Sequence, residues 1–201
     1  PACWHGFSQH AYETMPLARD ERTGGIILGE TGTRNITVSA GALWDRLNRY
    51  AISAIDTSGA GTFTAMYRDG GSGFTSETAQ TQWENTLYDD GSGTLATMTV
   101  ARYANRWFYV ETDNQLIMLY GRNQYTTLGA ALAETAPSTV PNRITASGRF
   151  IARLTFQKSE PAAEDIANVF TYAIPTGVTY HNDLSGLNTG DYQHLSAENN
   201  N

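Results

Sequence analysis

The chain has 201 residues, of which 16% are charged and 40% hydrophobic, and its formal net charge is -7. That length and balance describe a folded domain with a real core and exclude a disordered chain. The acidic charge argues against a nucleic-acid partner, because no Lys/Arg cluster is present to neutralise phosphates, and equally against an anionic membrane surface.

The 19 Gly and 11 Tyr, with plentiful Thr, lean towards strands joined by tight turns. Cys3 is the single cysteine, so no intramolecular disulfide or cysteine-based metal site is expected, and assembly in a reducing cytosol fits. No apolar run approaches about 18 residues and no secretory leader opens the chain, so membrane insertion is not expected. The first residue is Pro1, which reads as a start inside a longer product or after processing.

Residues 1–24 show no steady period. Trp4, Phe7, Tyr12, Met15 and Leu17 are scattered among polar residues, as in an N-terminal arm lying either on a neighbouring subunit or on its own domain. From Gly25 the pattern changes. Residues 25–28 form a short apolar run, and 35–41 alternate with period two, the strand signature. Asn35-Ile36-Thr37 also matches the N-glycosylation acceptor pattern, which is common by chance. For 42–55 a helical stripe (Leu43, Leu47, Tyr50) competes with a strand (Tyr50, Ile52, Ala54). The reading preferred is a turn at Trp44-Asp45, then a strand through Ile55.

Turn residues cluster at 56–61, 68–73 and 89–93. Between and after them, strands are expected over 62–67, 81–88, 95–103, 106–111 and 115–120, with a junction near Ala104-Asn105. Residues 126–136 form the one short helix, with Thr127 as N-cap, Leu128, Ala131 and Leu132 on one face, and Pro137 ending it. In 149–157, Phe150, Ala152, Leu154 and Phe156 alternate against Arg149, Ile151, Arg153 and Thr155. A last strand covers 165–172. The fold class expected is all-β: a β-sandwich or jelly-roll-like domain over 25–175, followed by an extended stalk-like segment over 176–201.

That final segment is the most distinctive part of the chain. His-Asn-Asp-Leu at 181–184 and Asp-Tyr-Gln-His-Leu at 191–195 flank a Gly-containing turn. Its apolar residues (Tyr180, Leu184, Leu187, Tyr192, Leu195) are too sparse to bury themselves against the ordering entropy, so a second copy around a symmetry axis is the simplest cover.

Here the sequence resembles bacteriophage tail-fibre and related virion-appendage proteins, in which phrases of the type H-N-D-L-x-G-L…G-(D/E)-Y-x-H-L join a globular module to a trimeric stalk. The resemblance extends to Asn85-Thr86-Leu87-Tyr88-Asp89-Asp90-Gly91-Ser92-Gly93-Thr94-Leu95, Arg106-Trp107-Phe108-Tyr109-Val110, Tyr120-Gly121-Arg122-Asn123-Gln124-Tyr125 and Gly148-Arg149-Phe150-Ile151-Ala152-Arg153. It spans roughly residues 35–198 and leaves out the N-terminal arm. It implies a structural, non-enzymatic virion protein, assembled in the host cytoplasm as a homotrimer, with other virion proteins and a host surface glycan or receptor as partners. Tyr180, His181, Asp183, Leu184, Leu187, Asp191, Tyr192, His194 and Leu195 would then form the oligomerisation element.

Several residue groups carry chemistry in principle. Asp89-Asp90 and Glu111 with Asp113 are acid pairs of the kind that hydrolyse glycosides, but adjacent acids in turns usually serve backbone hydrogen bonds. His181 and His194 would bring six imidazoles near a threefold axis; fixing inter-chain register is preferred to binding metal. No nucleophile elbow, zincin or phosphate-loop motif is present, and no cofactor is expected. The alternative to a purely structural role is a carbohydrate- or receptor-binding module with an exposed aromatic cleft near 68–73 or 89–93. Trp83, Tyr88, Asp89 and Asp90 are its candidate ligand-binding residues. A polysaccharide depolymerase acting through Asp89 and Asp90 is a third reading.

Overall fold

The structure, a computed structural model, describes residues 25–45 and 48–169. The protein is all-β. A six-stranded sheet runs in the order β13 (Asp165–Asn168), β12 (Gly148–Gln157), β10 (Tyr103–Glu111), β11 (Leu116–Tyr120), β6 (Phe63–Arg68), β7 (Phe74–Gln80). Every neighbouring pair is antiparallel except β11 with β6, which is parallel. A three-stranded antiparallel sheet is built from β1 (Leu28–Thr31), β2 (Asn35–Val38) and β5 (Ile55–Asp56). Two hairpins, β3 (Gly41–Asp45) with β4 (Asn48–Ile52) and β8 (Leu87–Asp89) with β9 (Leu95–Thr97), complete the strands.

The two sheets enclose the main core. Strand alternation sends Ala104, Phe108 and Val110 of β10 to one face, where they meet Ile26, Leu28, Ile36, Val38 and Ile55 from the small sheet. Trp107 and Tyr109 point to the other face, into a second core with Met66, Ile117, Leu119 and Ile144. β10 is therefore covered on both sides, and every residue from Ala104 to Glu111 is buried. That explains its near-continuous apolar run, a pattern of strands packed on both faces.

The second face is roofed by two short helices. In α1 (Leu128–Leu132) the Thr127 hydroxyl accepts from Ala130 N at 3.2 Å, as the N-cap expectation requires, and Ala131 is the buried residue. The helix is shorter than the expected 126–136. Arg153 Nη1 donates to the Leu132 carbonyl and Asn105 Nδ2 to the Ala131 carbonyl, so side chains take over where the next turn would begin. α2 (Asn142–Ser147) corrects the expectation of a single helix. Its N-cap, Pro141, offers no side-chain bond, and the helix is held by burial of Ile144 and by a two-point pairing of Arg143 with Glu111.

Other expectations are corrected as well. Trp44 and Asp45 end β3 and do not form the turn. Ala104-Asn105 is not a junction, because β10 runs unbroken through it, while 95–103 yields only the short β9 before an irregular stretch. Residues 81–86 are not strand, apart from an isolated bridge between Asn35 and Gln82; β8 begins at Leu87. β12 lies where the alternation placed it, with one change. The register against β10 shifts at Phe108/Tyr109, leaving Ile151 unpaired, so Phe150 joins the second core while Ala152, Leu154 and Phe156 face the main one. The last strand is described through Asn168. The arm at 1–24 and the stalk-like segment at 176–201 lie outside the described residues. No helix of the described residues is long and apolar enough to cross a membrane.

Candidate functional site

The turns at 68–73 and 89–93, separate in sequence, are one structure. β6 delivers Arg68 and β8 delivers Asp89 to the same place. Asp89 Oδ2 accepts from Arg68 Nε at 3.0 Å and from the Arg68 backbone N–H at 3.1 Å, and Arg68 Nη2 donates to the Asp89 carbonyl at 3.0 Å. The other oxygen, Oδ1, accepts from Gly91 N at 2.8 Å, so the carboxylate is fully engaged and only 2% exposed.

Around this joint the loops interlock. Gly70 has φ +84° and a Cβ there would stand 2.9 Å from the Ser92 carbonyl oxygen. Gly93 has φ +96° and its Cβ would stand 2.7 Å from the Asp69 carbonyl oxygen. Each glycine is needed twice over, for its dihedral and for the close approach of the other loop. Asp69 Oδ1 accepts from Gly71 N and Gly73 N, and Asp90 Oδ1 from Ser92 N, so both acids brace their own turns. Hydrogen bonds from Ser92 hold the Asp90 carboxyl below its ordinary range.

The four candidate ligand residues do not share a surface. Trp83 is fully buried: its ring packs 4.9 Å from Phe156 and its indole N–H donates to Glu30 Oε1 at 2.8 Å. The reading of Trp83 as an exposed stacking platform is therefore corrected; it is a core residue that ties the small sheet to the large one. Tyr88 is half-buried against the main core, Asp89 is locked to Arg68, and Asp90 alone is exposed. Glu111 is likewise buried and bound by Arg143 and Ser147, while Asp113 caps Gln115 N at the surface, so this second acid pair does not converge either. Asn35 donates its side-chain amide to the Thr57 and Thr81 carbonyls at 3.0 and 2.9 Å, which leaves it engaged as a structural bridge. Tyr180, His181, Asp183, Leu184, Leu187, Asp191, Tyr192, His194 and Leu195 lie outside the described residues.

Sequence reasoning missed the most unusual side chain. Arg106 is fully buried in the main core. Nε and Nη2 donate to the Glu84 carbonyl, Nη2 also to the Leu87 carbonyl at 2.7 Å, and Nη1 to the Asn105 carbonyl at 3.1 Å. The guanidinium lies 4.3 Å from the Tyr120 ring centre and 4.5 Å from that of Phe156. Burial lowers its pKa to about 10, so it stays cationic at neutral pH. The nearby Glu84 is partly buried, which alone would raise its pKa, but hydrogen bonds from Thr86 and the charges of Arg106 and Arg34 bring it below the usual range. Arg106 thus fastens the 84–87 segment, and with it β8 and the Asp89 joint, to the central strand. The available signal was a lone charge at the head of the apolar run Arg106-Trp107-Phe108-Tyr109-Val110.

Below the second face, Asn105 accepts from the Thr155 hydroxyl at 2.6 Å and donates to the Ala131 carbonyl at 2.8 Å and to Glu134. Desolvation raises the Glu134 pKa despite these donors. Among the described residues no group of three or more His, Cys, Asp or Glu could hold a metal ion. In comparisons with protein-family models, with curated proteins and with solved structures, nothing matches this chain.

Proposed function

We propose that this chain is a structural virion protein: a component of a bacteriophage tail fibre or head or tail appendage, assembled as a homotrimer in the host cytoplasm and taking part in host attachment. The observation that carries the reading is the pair of phrases at 181–184 and 191–195, whose sparse apolar residues need cover from neighbouring chains and whose pattern resembles the module-to-stalk junction of such fibres. The described domain supports it in a second way. The phrases at 85–95, 106–110 and 120–125 supply residues of one connected set of joints: Arg106 to Glu84 and Leu87, Asp89 to Arg68, and Asp89 N to the Gly121 carbonyl at 3.0 Å.

The receptor-module alternative loses Trp83 as an exposed anchor, and the depolymerase alternative loses the free carboxylate of Asp89. Sedimentation velocity at micromolar concentration, on the full chain and on one ending at residue 175, tests the reading. A trimer that falls to monomer on truncation supports it; a full chain that sediments as a monomer overturns it.

A further inference from the structure

The six-stranded sheet has two rims, and they are treated differently. At the β13 rim the Asn168 side-chain amide imitates a strand: Oδ1 accepts from Leu28 N at 2.7 Å and Nδ2 donates to the Leu28 carbonyl at 2.9 Å. This brings β1 of the small sheet against the rim, and an Arg153–Asp165 ion pair at 3.1 Å adds charge there. The C-terminal end of this rim is thereby occupied.

The β7 rim is bare. β7 pairs with β6 on one side, through Arg68↔Phe74, Tyr67↔Thr75, Met66↔Ser76 and Ala65↔Glu77. On the outer side Gln80 turns its own amide back to the Thr78 carbonyl at 3.1 Å. By strand alternation the outward groups next in line are those of Ser76 and Phe74, and among the described residues they have no backbone partner. The usual guards of an edge are nearly absent: β7 contains no Lys, Arg or Pro, Glu77 is its one charge, and its bulge, with Ala79 at φ +58°, is confined to the C-terminal end. Phe74, half-buried, also packs against the second core.

We infer that the outer edge of β7 is a docking edge for a second copy of this chain, which lays an extended segment along Phe74–Glu77 and continues the sheet across the subunit boundary. The inference rests on the trimeric reading and names where neighbouring protomers meet. The occupant follows from where the rest of the chain starts. Residues 170–201 leave from β13, at the opposite rim of the same sheet, and a chain of that length reaches on the order of 100 Å. The two rims are separated by roughly 24 Å of strand spacing, so the segment of one copy reaches β7 of the next with length to spare. A contact between unlike surfaces closes into a ring, as a threefold assembly requires.

The test uses the full chain and Ser76→Pro, which removes an outward N–H and leaves the β6 pairing groups of Thr75 and Glu77 in place. Sedimentation velocity and thermal melting are measured together, and amide exchange of wild-type β7 is followed at high and low protein concentration. The expected result is a wild-type trimer, a folded Ser76→Pro chain whose trimer dissociates at least tenfold more readily, and slower exchange at Phe74 and Ser76 in the concentrated sample. A trimer that persists unchanged in Ser76→Pro overturns the docking edge and leaves the trimeric reading standing, whereas a monomeric wild type overturns both. Should Ser76→Pro fail to fold, exchange at Phe74 and Ser76 that is as fast in a wild-type trimer as in unprotected amides overturns the docking edge alone.

Discussion

Replacing Arg106 with Met removes a buried guanidinium and keeps a long apolar stem. The structure sets the size of the effect. The part-buried Glu84 and Leu87 carbonyls lose a charged donor, and each orphaned acceptor costs about 1–3 kcal/mol. The stacking on Tyr120 and Phe156 is lost too, worth roughly 1–2 kcal/mol. Against this, the cation no longer has to be desolvated, a relief of several kcal/mol. The net expectation is a loss of about 2–4 kcal/mol. With a urea slope of about 1.5 kcal/mol/M, the midpoint falls by roughly 2 M. Arg106→Lys is the informative companion. It keeps the charge and its desolvation cost but cannot span three carbonyls with one ammonium, so it destabilises at least as much as Met. Urea unfolding followed by tryptophan fluorescence reads both. An Arg106→Met loss below about 1 kcal/mol, or a silent Arg106→Lys, would refute the view that this side chain fastens the 84–87 segment to β10.

Other consequences can be checked in the same assays. Gly93→Ala loses about 3 kcal/mol, from a positive φ and a backbone clash with Asp69, whereas Gly129→Ala, an exposed helical position with nothing near its Cβ, gains up to about 1 kcal/mol; equal signs would contradict the interlocked-turn geometry. Arg143→Ala leaves the Glu111 carboxylate buried without its partner and lowers stability by about 2–3 kcal/mol, with increased amide exchange in α2. Burial pushes the phenols of Tyr109 and Tyr120 up to about 12. Their contribution is full below pH 10, where both states are protonated, and is lost as pH rises from 10 to 12, because only the unfolded state then ionises. Arg106, lowered to about 10, shifts the balance the opposite way but counts once against two. Net alkaline destabilisation is therefore expected, with two tyrosines absorbing as phenolate only on unfolding.

The parts of the fold that could be read from the chain were those written in local period. β6, β11 and β12 stand where alternation placed them, and Thr127 caps its helix. What escaped depends on distant partners. No element is expected over 74–80, because an edge strand rich in Thr, Ser and Glu has no apolar alternation. Tyr103–Glu111 was divided because Asn105 and Arg106 look like a break, yet both are satisfied by carbonyls and side chains contributed from elsewhere. The turns at 68–73 and 89–93 were recognisable as turns, but a Gly93 Cβ 2.7 Å from the Asp69 carbonyl has no signature in either segment alone. Trp83 illustrates the same limit. Its neighbours suggest a strand at the surface, while Glu30, far back in the chain, draws the indole into the core.

Assembly through residues beyond the β-sandwich is tested most directly by the mass of the full chain in solution. Light scattering at micromolar concentration is predicted to give three times the 21.9 kDa of a single chain. A mass of one chain across that range would contradict the proposal that this domain is a subunit of a trimeric virion appendage.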